Sequence, residues 1–189
     1  MDTIRSFIAF PIPDSLRQKL EKAQGGIQKG LHHLRPVRPE SIHLTLHFLG
    51  DVSKGNVYKV AEMMEKVCPK YKPMDLTCRQ IGAFPDFINP RVIWAGLEGD
   101  VDPLSALQNE LGDGLKEIGL TLEQRPFNPH LTLFRIKQQK QLGTIRKRAD
   151  LLSKDDFGTI HCKSLVLYQS DLTPEGAVYT KLKMVALGS

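Results

Sequence analysis

The tetrapeptide His43-Leu44-Thr45-Leu46 returns 87 positions later as His130-Leu131-Thr132-Leu133, and this repeat constrains the chain more than any other feature. Shuffling a chain of 189 residues with 6 His, 9 Thr and 25 Leu gives two such copies on the order of 10⁻⁵ times. Side chains alternate across a strand, so each histidine shares a face with its threonine while the leucines take the other face. Internal self-similarity of this kind predicts two related halves, each presenting an imidazole and a hydroxyl. If the halves pack against each other, the polar faces converge on one cleft and the leucines fill the core.

The surrounding sequence intermixes strand and helix patterns. Thr3 to Phe10 reads as a strand stopped by Pro11 and Pro13. Asp14 to Gln24 has helical spacing through Leu16, Leu20 and Ala23, with a stop expected at Gly25-Gly26. Residues 31–40 read as an irregular basic segment. Ser53 is placed to cap a helix running to about Val67. Strands are expected at Met74 to Ile81 and Arg91 to Leu97, around a loop carrying Phe84 and Phe87. A helix is predicted from Asp102 to Ile118, the second motif strand at 127–135, and a basic helix from Gln138 to Leu152. Two closing strands, Thr159 to Gln169 and Ala177 to Leu187, would be joined by a turn at Asp171–Gly176. A terminal hairpin argues against a purely parallel sheet. The fold class is therefore α+β, mostly antiparallel sheet with outer helices, forming one unit over residues 1–189 with no low-complexity linker.

Two imidazoles and two hydroxyls facing each other suit a phosphate ester. Hydroxyls donate to non-bridging oxygens, and imidazole titrates near neutral pH, where acid and base forms coexist. Neither motif contains a carboxylate or cysteine at ligand spacing, so no metal site is expected. A net charge of +5 favours an anionic partner without identifying one. No apolar run approaches the roughly 20 residues that cross a bilayer, so no membrane association is expected. Cys68, Cys78 and Cys162 form no CxxC pair. With no secretory pattern at Met1–Arg5, this points to a reducing, cytoplasmic setting. A monomer is the default expectation.

The chain resembles the two-histidine phosphoesterase superfamily, and within it the RNA 2′,3′-cyclic phosphodiesterases, also called 2′-5′ RNA ligases. The resemblance runs through Arg5–Phe10, His43–Gly50, Arg91–Gly96 and Pro129–Arg135 in order. It implies two pseudo-symmetric α+β lobes flanking a groove, with no metal or organic cofactor. It also implies that His130 is the general base that activates water and His43 the general acid on the departing 3′-oxygen. Thr45 and Thr132 would hold phosphate oxygens, and Arg135 would contact the phosphate. The partner would be RNA or nucleotides ending in a 2′,3′-cyclic phosphate, with 2′-5′ ligation as the reverse step. Two alternatives stay open: a nucleotide- or RNA-binding module without turnover, and the same chemistry on another cyclic phosphate or a 2′-5′ oligonucleotide.

Other residues are weighed by strand phase. Strict alternation puts His47 on the motif face. Phe48 falls on the core face unless the chain bends near Gly50, in which case it stacks on a base. Trp94 reads as core, and Phe84 and Phe87 as a stacking wall or a hydrophobic plug. Arg91 serves structure or substrate. Arg35, Arg38, Lys137, Lys140, Arg146, Lys147 and Arg148 read first as solvated charge, part of which would follow backbone phosphates if RNA is the partner.

Overall fold

The computed structural model describes residues 2–123, 125–174 and 176–188. Met1, and Glu175 of the expected closing turn, lie outside the described residues.

In chain order the elements are β1 (Thr3–Pro11), α1 (Asp14–Gln28), β2 (Arg35–Pro36), β3 (His43–Ser53), α2 (Lys54–Val67), β4 (Met74–Phe84), β5 (Val92–Gly99), α3 (Val101–Glu117), β6 (His130–Arg135), α4 (Leu142–Leu151), β7 (Asp156–Cys162), β8 (Ser164–Thr173) and β9 (Gly176–Ala186). They form two antiparallel sheets, ordered β3-β1-β8-β9 and β2-β6-β5-β4-β7. The α+β class read from the sequence holds. The chain crosses between sheets: α1 follows β1 yet packs on β6 and β7 of the other sheet. One continuous core joins both, from Ile8, Phe10 and Leu44 to Ile93, Leu131 and Leu133. The motif leucines are all buried in it, which ties each motif strand down by one face. No helix among the described residues is long and apolar enough to cross a membrane.

Several expectations are corrected. α1 does not stop at Gly25-Gly26 but continues to Gln28. Ile27 is fully buried, and packing of that side chain outweighs the propensity cost of two glycines, about 1 kcal/mol each. The expected strand over 159–169 is two strands that belong to different sheets, β7 beside β4 and β8 beside β1, with the switch at Lys163. The segment 31–40 contains β2, which edges the second sheet. The basic helix is shorter than read, starting at Leu142. The Ser53 cap is present, its hydroxyl accepting from the Asn56 N–H at 3.3 Å. The three cysteines are buried and unpaired.

Candidate active site

The motif strands occupy equivalent places. β3 pairs with β1 so that His43 faces Pro11, Thr45 faces Ala9, His47 faces Ile8 and Phe48 faces Phe7. β6 pairs with β5 so that His130 faces Gly96, Thr132 faces Trp94, Phe134 faces Ile93 and Arg135 faces Val92. Both registers skip the fourth motif residue, Leu46 in one strand and Leu133 in the other. An extra residue of this kind is a β-bulge, and it reverses the phase of everything after it. The residue after each bulge turns inward, and the next turns out: His47 is 8% exposed and Phe48 51%. Likewise Phe134 is buried and Arg135 exposed.

In β3, strict alternation therefore fails for His47 and Phe48, both because of the bulge at Leu46. His47 does not share the motif face; its Nε2 lies 2.7 Å from the Gln108 carbonyl of α3. Phe48 leaves the core face and joins the motif face, its ring 6.1 Å from that of Phe7. Trp94 is not core either. It faces Thr132 across the sheet, and its ring stands 6.5 Å from that of His130. A Cβ on Gly82 would lie 2.2 Å from the Trp94 ring, so only glycine lets the indole lie flat on β4. Phe84 stands edge-on to His130 at 5.0 Å, whereas Phe87 packs against the core.

Each imidazole is seated among aromatics. Phe7 stacks on His43 at 4.6 Å and on Tyr168 at 5.0 Å, and Tyr179 meets His43 edge-on at 5.2 Å. Phe7, Tyr168 and Tyr179, with Ala9 and Val166, form a small second apolar cluster on the motif face of the first sheet. The carbonyl two residues back addresses each ring. The His130 Nδ1–H donates to the Asn128 carbonyl at 2.6 Å, which puts the lone pair of the neutral ring on Nε2. The Ser41 carbonyl stands in the same relation to His43 and raises its basicity.

Burial outweighs those carbonyls. It pushes His43 down to about 4 and His130 down from its ordinary value. The positive charge of Arg135 lowers both further, so one guanidinium stands within electrostatic reach of both imidazoles. β3 and β6 adjoin where the two sheets meet. His43, Thr45 and Phe48 on β3 and His130, Thr132 and Arg135 on β6 thus stand on adjoining strands, with the Arg135 charge felt by both imidazoles. Phe7, inside the resemblance stretch Arg5–Phe10, joins the site beside His43; Tyr168 and Tyr179 join it from strands with no motif, and only the sheet order brings them there. Among the described residues no three His, Cys, Asp or Glu side chains converge as a metal-binding cluster.

The LigT-like phosphoesterase family model matches residues 10–94 and 97–179, so each matched stretch carries one copy of the motif. The chain belongs to the LigT-like phosphoesterase family. Within the family, a curated relative from Archaeoglobus fulgidus named RNA 2′,3′-cyclic phosphodiesterase is 30% identical over 182 residues, covering 96% of this chain and 99% of the relative. Further curated relatives carry the same name. The crystal structure of TT0787 from Thermus thermophilus superposes with a TM-score of 0.82 at 27% identity, covering 98% of this chain and 99% of that one. E. coli LigT complexed with 3′-AMP superposes with a TM-score of 0.77 at 25% identity, covering 99% of each chain.

Proposed function

We propose that the chain hydrolyses 2′,3′-cyclic phosphate ends of RNA to 2′-phosphates by two-histidine acid–base catalysis. The observation that carries this reading is the pair of imidazole–threonine units on equivalent bulged strands around one guanidinium. The names of the family relatives and the 3′-AMP complex of LigT support the choice of substrate.

The cyclic phosphate sits between the halves, its non-bridging oxygens on the Thr45 and Thr132 hydroxyls and on Arg135, where negative charge grows. A water oxygen attacks phosphorus as its proton passes to Nε2 of His130. The P–O3′ bond breaks, and O3′ takes a proton from His43. The Nδ1–H bond of His130 to Asn128 supports its role as base, because it keeps the lone pair on Nε2. His43 must be protonated to act, yet burial and Arg135 disfavour its cation. The phosphate anion supplies the opposing field, so binding of substrate itself charges the acid. With a 5′-hydroxyl attacking phosphorus in place of water, the same steps join RNA ends through a 2′-5′ bond.

The test is incubation, with chelator present, with a 2′,3′-cyclic nucleotide, a cyclic-ended oligoribonucleotide and a 2′-5′ dinucleotide. The expected product of the first two is the 2′-phosphate. A 3′-phosphate would exchange the acid and base faces, and failure to turn over any substrate would leave a binding module.

A further inference from the structure

Most of the described arginines outside the groove are engaged elsewhere. Arg17, Arg79, Arg125 and Arg146 pair with carboxylates, and Arg148 donates to the carbonyls of Ile27 and Lys29. Arg35 and Arg135 form no ion pair among the described residues.

β2 is only two residues long, and it sets Arg35 directly opposite Arg135. Directly opposed residues of an antiparallel pair project from the same face, with Cα atoms roughly 4.5–5.5 Å apart. Arg135 is on the groove face, so Arg35 is too. Like charges in this position cost stability, and both side chains are exposed, so no core packing demands them. An edge strand can be blunted by one charge and a proline, and Pro36 already supplies the latter. Blunting does not require the charge to face a second arginine. Two guanidiniums side by side on a groove face are balanced by anion, and Arg135 is already assigned to the reacting phosphate.

We propose that Arg35 holds the RNA phosphodiester one nucleotide upstream of the cyclic end, an inference that rests on the cyclic-phosphate reading of the two histidines. The groove then selects a polynucleotide end over a mononucleotide. Cationic surface continues past this point: His33 Nε2 lies 3.1 Å from the Lys140 carbonyl, which draws the segment bearing Lys137 and Lys140 alongside the residues that enter β2. Both lysines are exposed.

The experiment compares kcat/KM for uridine 2′,3′-cyclic phosphate with that for a tetranucleotide bearing the same cyclic end. It uses the intact chain, Arg35→Gln, and Arg146→Gln as a control for bulk charge. The tetranucleotide-to-mononucleotide ratio should fall about tenfold in Arg35→Gln and hold in Arg146→Gln. The salt slope of the tetranucleotide should shrink by roughly 0.7 in Arg35→Gln. An unchanged ratio, or equal losses on both substrates, overturns the proposal, the second because Arg35 would then act only through Arg135. Should the unmutated chain turn over neither substrate, the cyclic-phosphate reading fails separately, and binding still decides. Titration with a tetranucleotide ending in a 2′-phosphate and with uridine 2′-phosphate must then show Arg35→Gln weakening only the former. Equal affinities in both proteins would remove the subsite.

Discussion

In the β1–β3 half of the groove, the residue five places past the motif histidine is Phe48; in the β5–β6 half it is Arg135. Both reach the groove because a bulge at the fourth motif position reverses strand phase. What braces the bulge differs. In β6 the Leu133 carbonyl accepts from the Val37 N–H at 2.7 Å and from the Gln24 amide of α1 at 2.8 Å, a side chain only 3% exposed. In β3 the inward residue is itself polar, and His47 is tied to α3. The comparison separates two layers of design. The backbone device is shared and places each imidazole–hydroxyl pair, while the side chain it exposes gives one wall an aromatic and the other a charge. Identical motifs thereby acquire different electrostatic and stacking surroundings, a physical basis for assigning them different roles.

The largest expected effect tests whether the halves act as one unit. His43→Ala and His130→Ala should each lower kcat by about 10²–10⁴-fold, and the double variant should lose little more than the worse single one. Near-normal turnover in either single variant would end the acid–base assignment. Arg135→Gln should cost about 10²-fold in kcat/KM and leave a second signature. Removing its positive charge makes both imidazoles more basic. Because kcat/KM needs one protonated and one neutral imidazole, its profile is a bell lying on the acid side of about 6.5. Its alkaline limb should move to higher pH in Arg135→Gln, a shift that proton NMR of the two rings can follow independently. A limb that stays in place would mean that the two halves do not share this charge. On the opposite wall, Phe48→Ala should raise KM about tenfold for base-bearing substrates while leaving kcat near normal, consistent with loss of one stacking partner. An equal fall in kcat would instead make Phe48 part of the acid's support.

His43 also contributes to stability. Its folded value near 4 lies below the unfolded value of about 6.5, so as pH falls the unfolded chain takes up this proton first. Stability from this group is therefore full above pH 6.5 and declines as pH drops toward 4, by an amount on the order of 1–3 kcal/mol. Urea unfolding at pH 7 and pH 4.5 should show a smaller difference for His43→Phe than for the intact chain.

The sequence made some of this legible and hid the rest for identifiable reasons. Both motifs, the core role of their leucines and the antiparallel α+β class follow from period-2 patterning, and patterning survives into the fold wherever one face is buried. The bulges do not follow, because nothing in Leu46 or Leu133 distinguishes a bulged leucine from a regular one. Period-2 alternation consequently puts His47 and Phe48 on each other's faces. Trp94 looked like core by residue type, and the glycine that makes room for it, Gly82, lies on a neighbouring strand twelve residues earlier in the chain. Arg35 was legible only as charge, since a two-residue strand has no periodicity to read. Tyr168 and Tyr179 depend on the sheet order β3-β1-β8-β9, which no local pattern encodes.

The smallest expected effect asks whether the brace under β3 controls the aromatic wall. A Cβ on Gly112 would stand 3.2 Å from Cε1 and 3.5 Å from Nε2 of His47. That ring is buried, held by the Gln108 carbonyl and backed by the bulge, so it has little room to retreat. Gly112→Ala gains up to about 1 kcal/mol of helix propensity, which the tight contact offsets, leaving net stability within about 1 kcal/mol of the intact chain. Pressure on His47 passes along the backbone to the next residue, Phe48, so KM for base-bearing substrates should rise about two- to threefold with kcat preserved, a small fraction of the stacking energy. Combined with Phe48→Ala, the same substitution should add nothing to KM, because the side chain through which it acts is gone. An additive double variant would show that α3 supports β3 as a whole rather than aiming one ring, and the parallel with the Gln24 brace under β6 would then be one of architecture only.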